Sequence, residues 1–180
     1  MDTIEFIQTG LANTKRILDR TLDGLTPAEL KWQPRPDANS IGLILFHMIR
    51  TEDFFVQSLL QGKPQLWESE KWYQKFSKTI SDSGSRYTAE QVAAFIVPEM
   101  NGLQAYFEAV RKRTLEYVKD LTPEKLDKKI SLPPPPHDRP QRSPFSDATV
   151  GSMLLMNMTH LAQHVGEISC LRGQQRGLDK

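Results

Sequence analysis

A long segment late in the chain reads TVGSMLLMNMTHLAQHVGEISCLRG, from Thr149 to Gly173. Threonine is a favoured first cap of a helix and glycine commonly follows a helix end, so the segment predicts one long helix. His160 and His164 are four residues apart within it, and both side chains therefore project from the same face, one turn apart. Two imidazoles so arranged can bind one metal ion.

This histidine pair is a weak signal when taken alone, because HxxxH arises often by chance. It also differs from the HExxH motif of zinc proteases, since Leu161 stands where that motif has glutamate. The general base that is built into that class of enzyme is therefore missing.

A third histidine falls into register with the pair. Ser40 is predicted to cap a helix that runs through Leu60, and His47 lies seven residues after this cap. His160 lies eleven residues after its own cap, and the difference of four residues is about one helical turn. If the two halves of the chain are related, His47 occupies the same face as His160 and His164.

The chain contains a short internal repeat that supports such a relation. Residues 25–30 read LTPAEL and residues 121–126 read LTPEKL, while SIG at 40–42 corresponds to TVG at 149–151. Each half reads as a long helix, an LTPxxL turn, a proline-bearing loop and a second long helix. This pattern predicts one all-α domain over residues 1–180, an antiparallel four-helix bundle with a longer crossover between its halves.

Two further segments complete this prediction. A capping box at Thr88 and Gln91 predicts a long third helix that reaches about Lys119 and bends at Pro98. The proline-rich stretch 130–148 is typical of a lid, a packed surface loop or a disordered segment. His137 lies in this stretch and is interpreted as a surface residue.

Three histidines on apolar, inward-facing surfaces are costly to bury unless something compensates, and a metal ion does so better than core hydrogen bonds. Three protein nitrogens leave at least one open coordination position, as in reactive zinc sites. Glu167 follows His164 by three residues and lies on the same stripe. It is a candidate catalytic residue that could act as fourth ligand, as a partner of a ligand or as general base, or could simply be solvated.

Composition excludes several classes of protein. The chain is 38% hydrophobic and 25% charged with a formal charge of +1, without the basic stripe of a nucleic-acid binder. Its longest apolar run, around residues 41–46, is too short to cross a membrane. The first residues are acidic where a signal peptide is basic, so we expect a cytoplasmic protein.

Several of these residues together resemble a known family. The set comprises Ser40-Ile-Gly with His47, the acidic pair Glu52-Asp53, Trp67 and Trp72, and His160-x-x-x-His164-Val-Gly-Glu with Leu171-Arg-Gly. It is similar to the DinB-like metalloenzymes, in particular YfiT-like proteins and bacterial thiol-dependent S-transferases. The resemblance implies a homodimer and a zinc or nickel ion on His47, His160 and His164. The family usually has glutamine at the position of Glu167.

The leading hypothesis is therefore a metal-dependent transferase that joins a low-molecular-weight thiol to an electrophile. The alternatives are a non-catalytic metal-binding stress or sensor protein and a metal-dependent hydrolase. Cys170 should lie off the metal face and pack as a small apolar residue, so an external thiol is favoured as nucleophile. The aromatic residues Trp67, Trp72, Tyr73 and Phe76 should cover the metal entrance or a partner, or pack within the chain.

Overall fold

A computed structural model of the chain describes residues 1–130 and 147–177 and is helical in all its regular elements. In chain order the helices are α1 (Thr3–Leu22), α2 (Pro27–Lys31), α3 (Ile41–Asp53) with a π-helical continuation (Phe54–Leu60), α4 (Leu66–Ser69), α5 (Trp72–Lys75), α6 (Ala89–Ala93), α7 (Met100–Lys119), α8 (Pro123–Leu126) and α9 (Val150–Arg176). The described residues include no β-strand, and the predicted all-α class is confirmed.

The helices begin where the capping residues predict. Ser40 Oγ accepts a hydrogen bond from the Leu43 amide at 3.2 Å, which satisfies one of the free amides of α3. Thr149 and Ser152 form a reciprocal capping box at the start of α9. The two helices that carry the histidines are thus started by local hydrogen bonds.

The internal repeat corresponds to the same contact in both halves. A Cβ atom added at Gly42 would lie 3.1 Å from the Leu30 carbonyl oxygen, and one added at Gly151 would lie 3.3 Å from that of Leu126. Leu30 and Leu126 are the last residues of the two LTPxxL sequences. Glycine therefore lets the short helices α2 and α8 pack closely against the starts of α3 and α9.

The direction of the long helices follows from contacts along their lengths. Gly10 contacts Met158, and Thr21 Oγ1 lies 3.2 Å from Ser169 Oγ, so α1 and α9 run in the same direction. α7 runs opposite to α1, because residues that advance along α1 contact residues that recede along α7: Leu11 with Arg111, and Lys15 with Glu108.

α3 runs opposite to α9 by the same argument. His47 contacts His164, while Phe55, two turns further along, contacts His160. The two long helices within each half are therefore antiparallel, and α3 and α7 run parallel. Parallel neighbours need a long connection between them, and residues 61–99 form this crossover.

The long third helix predicted from residue 88 to about Lys119 is wrong. α6 ends at Ala93 and α7 starts at Met100, with a non-helical connection between them. Pro98 has no amide proton and disfavours a helical conformation of the preceding residue, Val97. Val97 is instead buried and contacts Gly42 at the start of α3.

The aromatic segment forms part of the core. Trp67 has no exposed surface, Trp72 is 8% exposed, and both rings pack against the buried ring of Tyr106 on α7. Packing within the chain is therefore the correct one of the three alternatives. The two buried tryptophans are therefore not available as the interface of the predicted homodimer.

An ion pair is buried between the long helices. Glu52, which has no exposed surface, accepts hydrogen bonds from Arg111 Nε at 2.8 Å and Nη2 at 2.9 Å, and from Thr114 Oγ1 at 2.7 Å. Arg111 Nη1 also donates to the Leu11 carbonyl oxygen at 2.8 Å. These hydrogen bonds join α3, α7 and α1, and they give both the buried carboxylate and the buried guanidinium group hydrogen-bond partners.

Most of the proline-rich stretch, including His137, lies outside the described residues. Its flanks meet, because the Ile130 amide donates to the Ala148 carbonyl oxygen at 3.0 Å. Among the described helices, none combines the length and the apolar character that crossing a membrane requires.

Candidate metal centre

The structure brings the three predicted histidines together between α3 and α9. His160 Nε2 lies 3.1 Å from His47 Nε2 and 3.0 Å from His164 Nε2. One nitrogen from each ring falls within a group whose atoms all lie within 4.8 Å of one another. The three side chains could therefore hold a single metal ion.

The electrostatics of the cluster favour neutral rings. Burial lowers the pKa of His47, and the charge of nearby His164 lowers it further. Burial, followed by the influence of His164 and His47, lowers the pKa of His160 to about 4. Neutral imidazole is the form that binds a metal, so these two rings need not lose a proton at neutral pH to become ligands.

The spacing of the nitrogens fits a small cation. Two ligand atoms that each lie about 2.0–2.1 Å from one tetrahedral ion are roughly 3.3–3.4 Å apart, close to the separations found here. A ring nitrogen without a proton presents a lone pair, and three such lone pairs aimed at one point repel one another. A cation at that point would turn this repulsion into attraction.

Two of the histidines have partners on their other ring nitrogen. His47 Nδ1 lies 2.9 Å from Ser85 Oγ, and His164 Nδ1 lies 2.8 Å from Glu167 Oε2. An ionised carboxylate only accepts, so the Glu167 contact holds the proton of His164 on Nδ1 and leaves its Nε2 free to bind an ion. The Ser85 hydroxyl can accept the Nδ1 proton of His47 in the same way. His160 Nδ1 is buried and has no hydrogen-bond partner among the described residues.

Glu167 contacts the back of His164 and lies outside the group of converging atoms. Its side chain is 49% exposed. Of the roles that the sequence leaves open, this contact corresponds to a partner of a ligand. A catalytic role for Glu167 stays a prediction.

Ser85 belongs to a serine-rich loop, residues 77–87, which the sequence did not identify as part of the site. Arg50, three residues after His47 on α3, donates from Nε to the Asp82 carbonyl oxygen at 3.1 Å. Trp67 Nε1 donates to the Ile80 carbonyl oxygen at 2.9 Å. The core thereby holds the loop against the helix that carries His47.

A glycine makes the close approach of this loop feasible. Gly84 has φ +69°, and an added Cβ there would lie 3.1 Å from His47 Cα. A side chain at this position would suffer both backbone strain and a clash. The sequence SDSGS at 81–85 carries this one hint, a glycine among turn-forming residues, but nothing in it indicates which helix the loop contacts.

A cavity of about 350 Å³ opens beside the histidines. Part of the histidine cluster, an apolar side and a polar rim bound this cavity. The lining residues are Asn39, Leu43, Ile44, His47, Gly84, Ser85, Arg86 and His164. This volume lies within the range of small-molecule sites. A small ligand in it would touch two of the three histidines.

Cys170 lies outside the converging group, as predicted, but the expectation that it packs as a small apolar residue is wrong. Its side chain is exposed near the end of α9. The described site contains no thiol of its own.

Comparison with known proteins agrees with this architecture. A family model described as the DinB superfamily matches residues 11–168. A conserved protein from Enterococcus faecalis, known from a crystal structure, is similar with 22% identity and a TM-score of 0.79, over 96% of each chain. That likeness supports the fold. No curated protein matched the sequence.

Proposed function

The chain belongs to the DinB superfamily, and on that basis we propose that His47, His160 and His164 bind one divalent metal ion, zinc or nickel, in an enzyme that transfers a low-molecular-weight thiol to an electrophile. The observation that carries the proposal is the convergence of three Nε2 atoms beside a cavity that His47 and His164 line. Three ligands are one fewer than a structural zinc site uses, which favours a reactive centre.

The residues around the cavity suit this reaction. A divalent ion held by the histidines would supply positive charge, which favours the thiolate form of a sulfur nearby. Leu43 and Ile44 offer an apolar wall against which the body of an electrophile could pack. Ser85 and Glu167 orient the rings of His47 and His164 through their Nδ1 atoms.

We expect metal-loaded wild type to conjugate a reporter electrophile with at least one small thiol at least about tenfold faster than His47→Ala. At neutral pH a thiol with a pKa near about 8.5 is only a few per cent thiolate, so full deprotonation can raise its rate roughly thirtyfold before the loss of nucleophilicity is counted. The measurement is the initial rate with bacillithiol, mycothiol, glutathione, cysteine and coenzyme A.

His137→Ala is the matched control, because the sequence predicts this fourth histidine to be a surface residue rather than a metal ligand. It should conjugate at the wild-type rate. If none of the five thiols reacts faster with wild type than with His47→Ala, thiol transfer fails as the function.

A non-catalytic metal-binding stress or sensor protein is the second candidate. It is favoured by one observation, that the described cavity walls include no carboxylate that could serve as general base. The same observation weighs more heavily against hydrolysis, which must deprotonate water. The homodimer implied by the family resemblance remains a prediction, which light scattering would test.

Ser85→Ala should weaken metal binding about tenfold while leaving the fold intact. Removing the hydroxyl frees the His47 ring to rotate and to place its proton on Nε2, and loss of such a partner commonly costs 10–100-fold in affinity, by rough estimate. The measurement is competition for zinc with a chromophoric chelator. Ser81→Ala removes an exposed hydroxyl of the same loop and should leave the affinity unchanged; equal affinities of the two variants would contradict the role of Ser85.

A further inference from the structure

The lining of the cavity beside the histidines includes one arginine that forms no ion pair with another described residue. Arg86 lines the cavity with an exposed side chain. No described residue accepts a hydrogen bond from its guanidinium group, and it takes part in none of the described ion pairs. Two acids lie four residues away in sequence. Asp82 accepts hydrogen bonds from the Tyr87 hydroxyl and the Gly84 amide. The Glu90 side chain is hydrogen-bonded to Thr88.

The fold holds Arg86 in a conformation that it would not adopt by preference. Its φ is +56°, in the left-handed region that costs energy for any residue with a Cβ atom. The serine-rich loop is kept in place by the hydrogen bond from Arg50 to the Asp82 carbonyl oxygen and by the contact of Ser85 with His47. The same anchors that place Ser85 against His47 therefore place Arg86 at the cavity wall.

The lining of the cavity suits an anion. Arg86 and Asn39 supply hydrogen-bond donors, Leu43 and Ile44 supply an apolar wall, and no carboxylate is among the described lining residues. A guanidinium group is planar and matches a carboxylate with two parallel hydrogen bonds. An organic molecule with a carboxylate at one end could thus pair with Arg86 while its other end approaches His47 and His164.

We propose that Arg86 selects carboxylate-bearing substrates for this cavity, so that the thiol used by the protein carries a carboxylate at a short distance from its sulfur. This inference rests on the proposed thiol transfer for the identity of the sulfur, but the carboxylate site itself is formed by Arg86 and the cavity. Arg86 is in this sense a specificity-determining residue.

The test compares two thiols of equal length on the zinc-loaded protein by calorimetry. 3-Mercaptopropionate carries a carboxylate and 3-mercapto-1-propanol carries a neutral hydroxyl. Arg86→Gln should weaken binding of 3-mercaptopropionate about fivefold to tenfold and leave 3-mercapto-1-propanol unchanged. Arg16→Gln, which removes the same charge from an exposed position on α1, should change neither.

Butyrate, titrated onto the metal-free protein by NMR, separates the two proposals because it has no sulfur. Weaker butyrate binding in Arg86→Gln than in wild type supports the carboxylate site, even if neither thiol binds and thiol transfer fails. Thiol binding that Arg86→Gln does not change, together with unchanged butyrate binding, overturns the role of Arg86 and leaves thiol transfer standing.

Discussion

Replacing His160 with alanine is expected to weaken zinc or nickel binding by roughly a hundredfold. His160 Nε2 is the atom within 3.1 Å of both other histidines, so its loss removes the centre of the ligand set. Structural zinc sites with four ligands bind with about 10–16 kcal/mol, or roughly 2.5–4 kcal/mol for each ligand. A loss of that size corresponds to a factor of about 70–900.

The measurement is competition with a calibrated chelator, and thermal unfolding gives a second readout. An ion at roughly a thousand times its Kd stabilises the native state by about 4 kcal/mol. For a chain of this size, that is a rise of about 10 °C in Tm. His160→Ala should lose most of this metal-dependent rise, whereas His137→Ala should keep it. Equal zinc affinities of wild type and His160→Ala would contradict the predicted ligand set.

The second large effect concerns stability. Glu52→Ala is expected to lower the free energy of unfolding by about 3–5 kcal/mol, because it leaves the Arg111 guanidinium buried without its counter-ion. Thr114 Oγ1 also loses an acceptor. Urea unfolding monitored by circular dichroism measures the change.

A double variant separates the ion pair from simple packing. Glu52→Leu combined with Arg111→Met replaces the pair with apolar groups and should be far more stable than Glu52→Ala, since a buried pair offsets its desolvation cost only partly. Glu116→Ala breaks an ion pair whose two side chains are each 49% exposed, and should cost less than about 1 kcal/mol. A Glu52→Ala variant as stable as Glu116→Ala would contradict the structural role of the pair.

The acidic pair of the family-like motif thus has a structural explanation. Glu52 binds Arg111, and Asp53 accepts hydrogen bonds from the amides of Leu66 and Trp67 at 3.0 and 2.9 Å. Asp53, the last residue of α3, therefore satisfies the first two amides of the short helix α4. Neither carboxylate belongs to the group of converging histidine atoms.

The sequence was sufficient to predict the three histidines as neighbours because helical geometry is local and periodic. A cap fixes where a helix starts, and counting from Ser40 and Thr149 then fixes which face His47 and His160 occupy. The repeat supplied the remaining step, since it implied that α3 and α9 occupy equivalent positions in the bundle.

The serine-rich loop could not be predicted in the same way. The contacts of Ser85 and Arg86 with the site depend on hydrogen bonds from Arg50 and Trp67 that bridge thirteen to 32 positions in sequence. Loops have no periodicity from which such contacts can be read. The third helix was mispredicted for a related reason: the capping box at Thr88 is real, but it starts a helix of five residues rather than the long one.

X-ray absorption spectroscopy of the zinc-loaded protein tests the central claim, that three imidazoles hold one ion, most directly. We predict a zinc first shell of nitrogen or oxygen at about 2.0–2.1 Å, with outer-shell scattering from three imidazole rings that falls to two in His47→Ala. A wild-type spectrum without imidazole scattering, or one dominated by sulfur at about 2.3 Å, would contradict the claim.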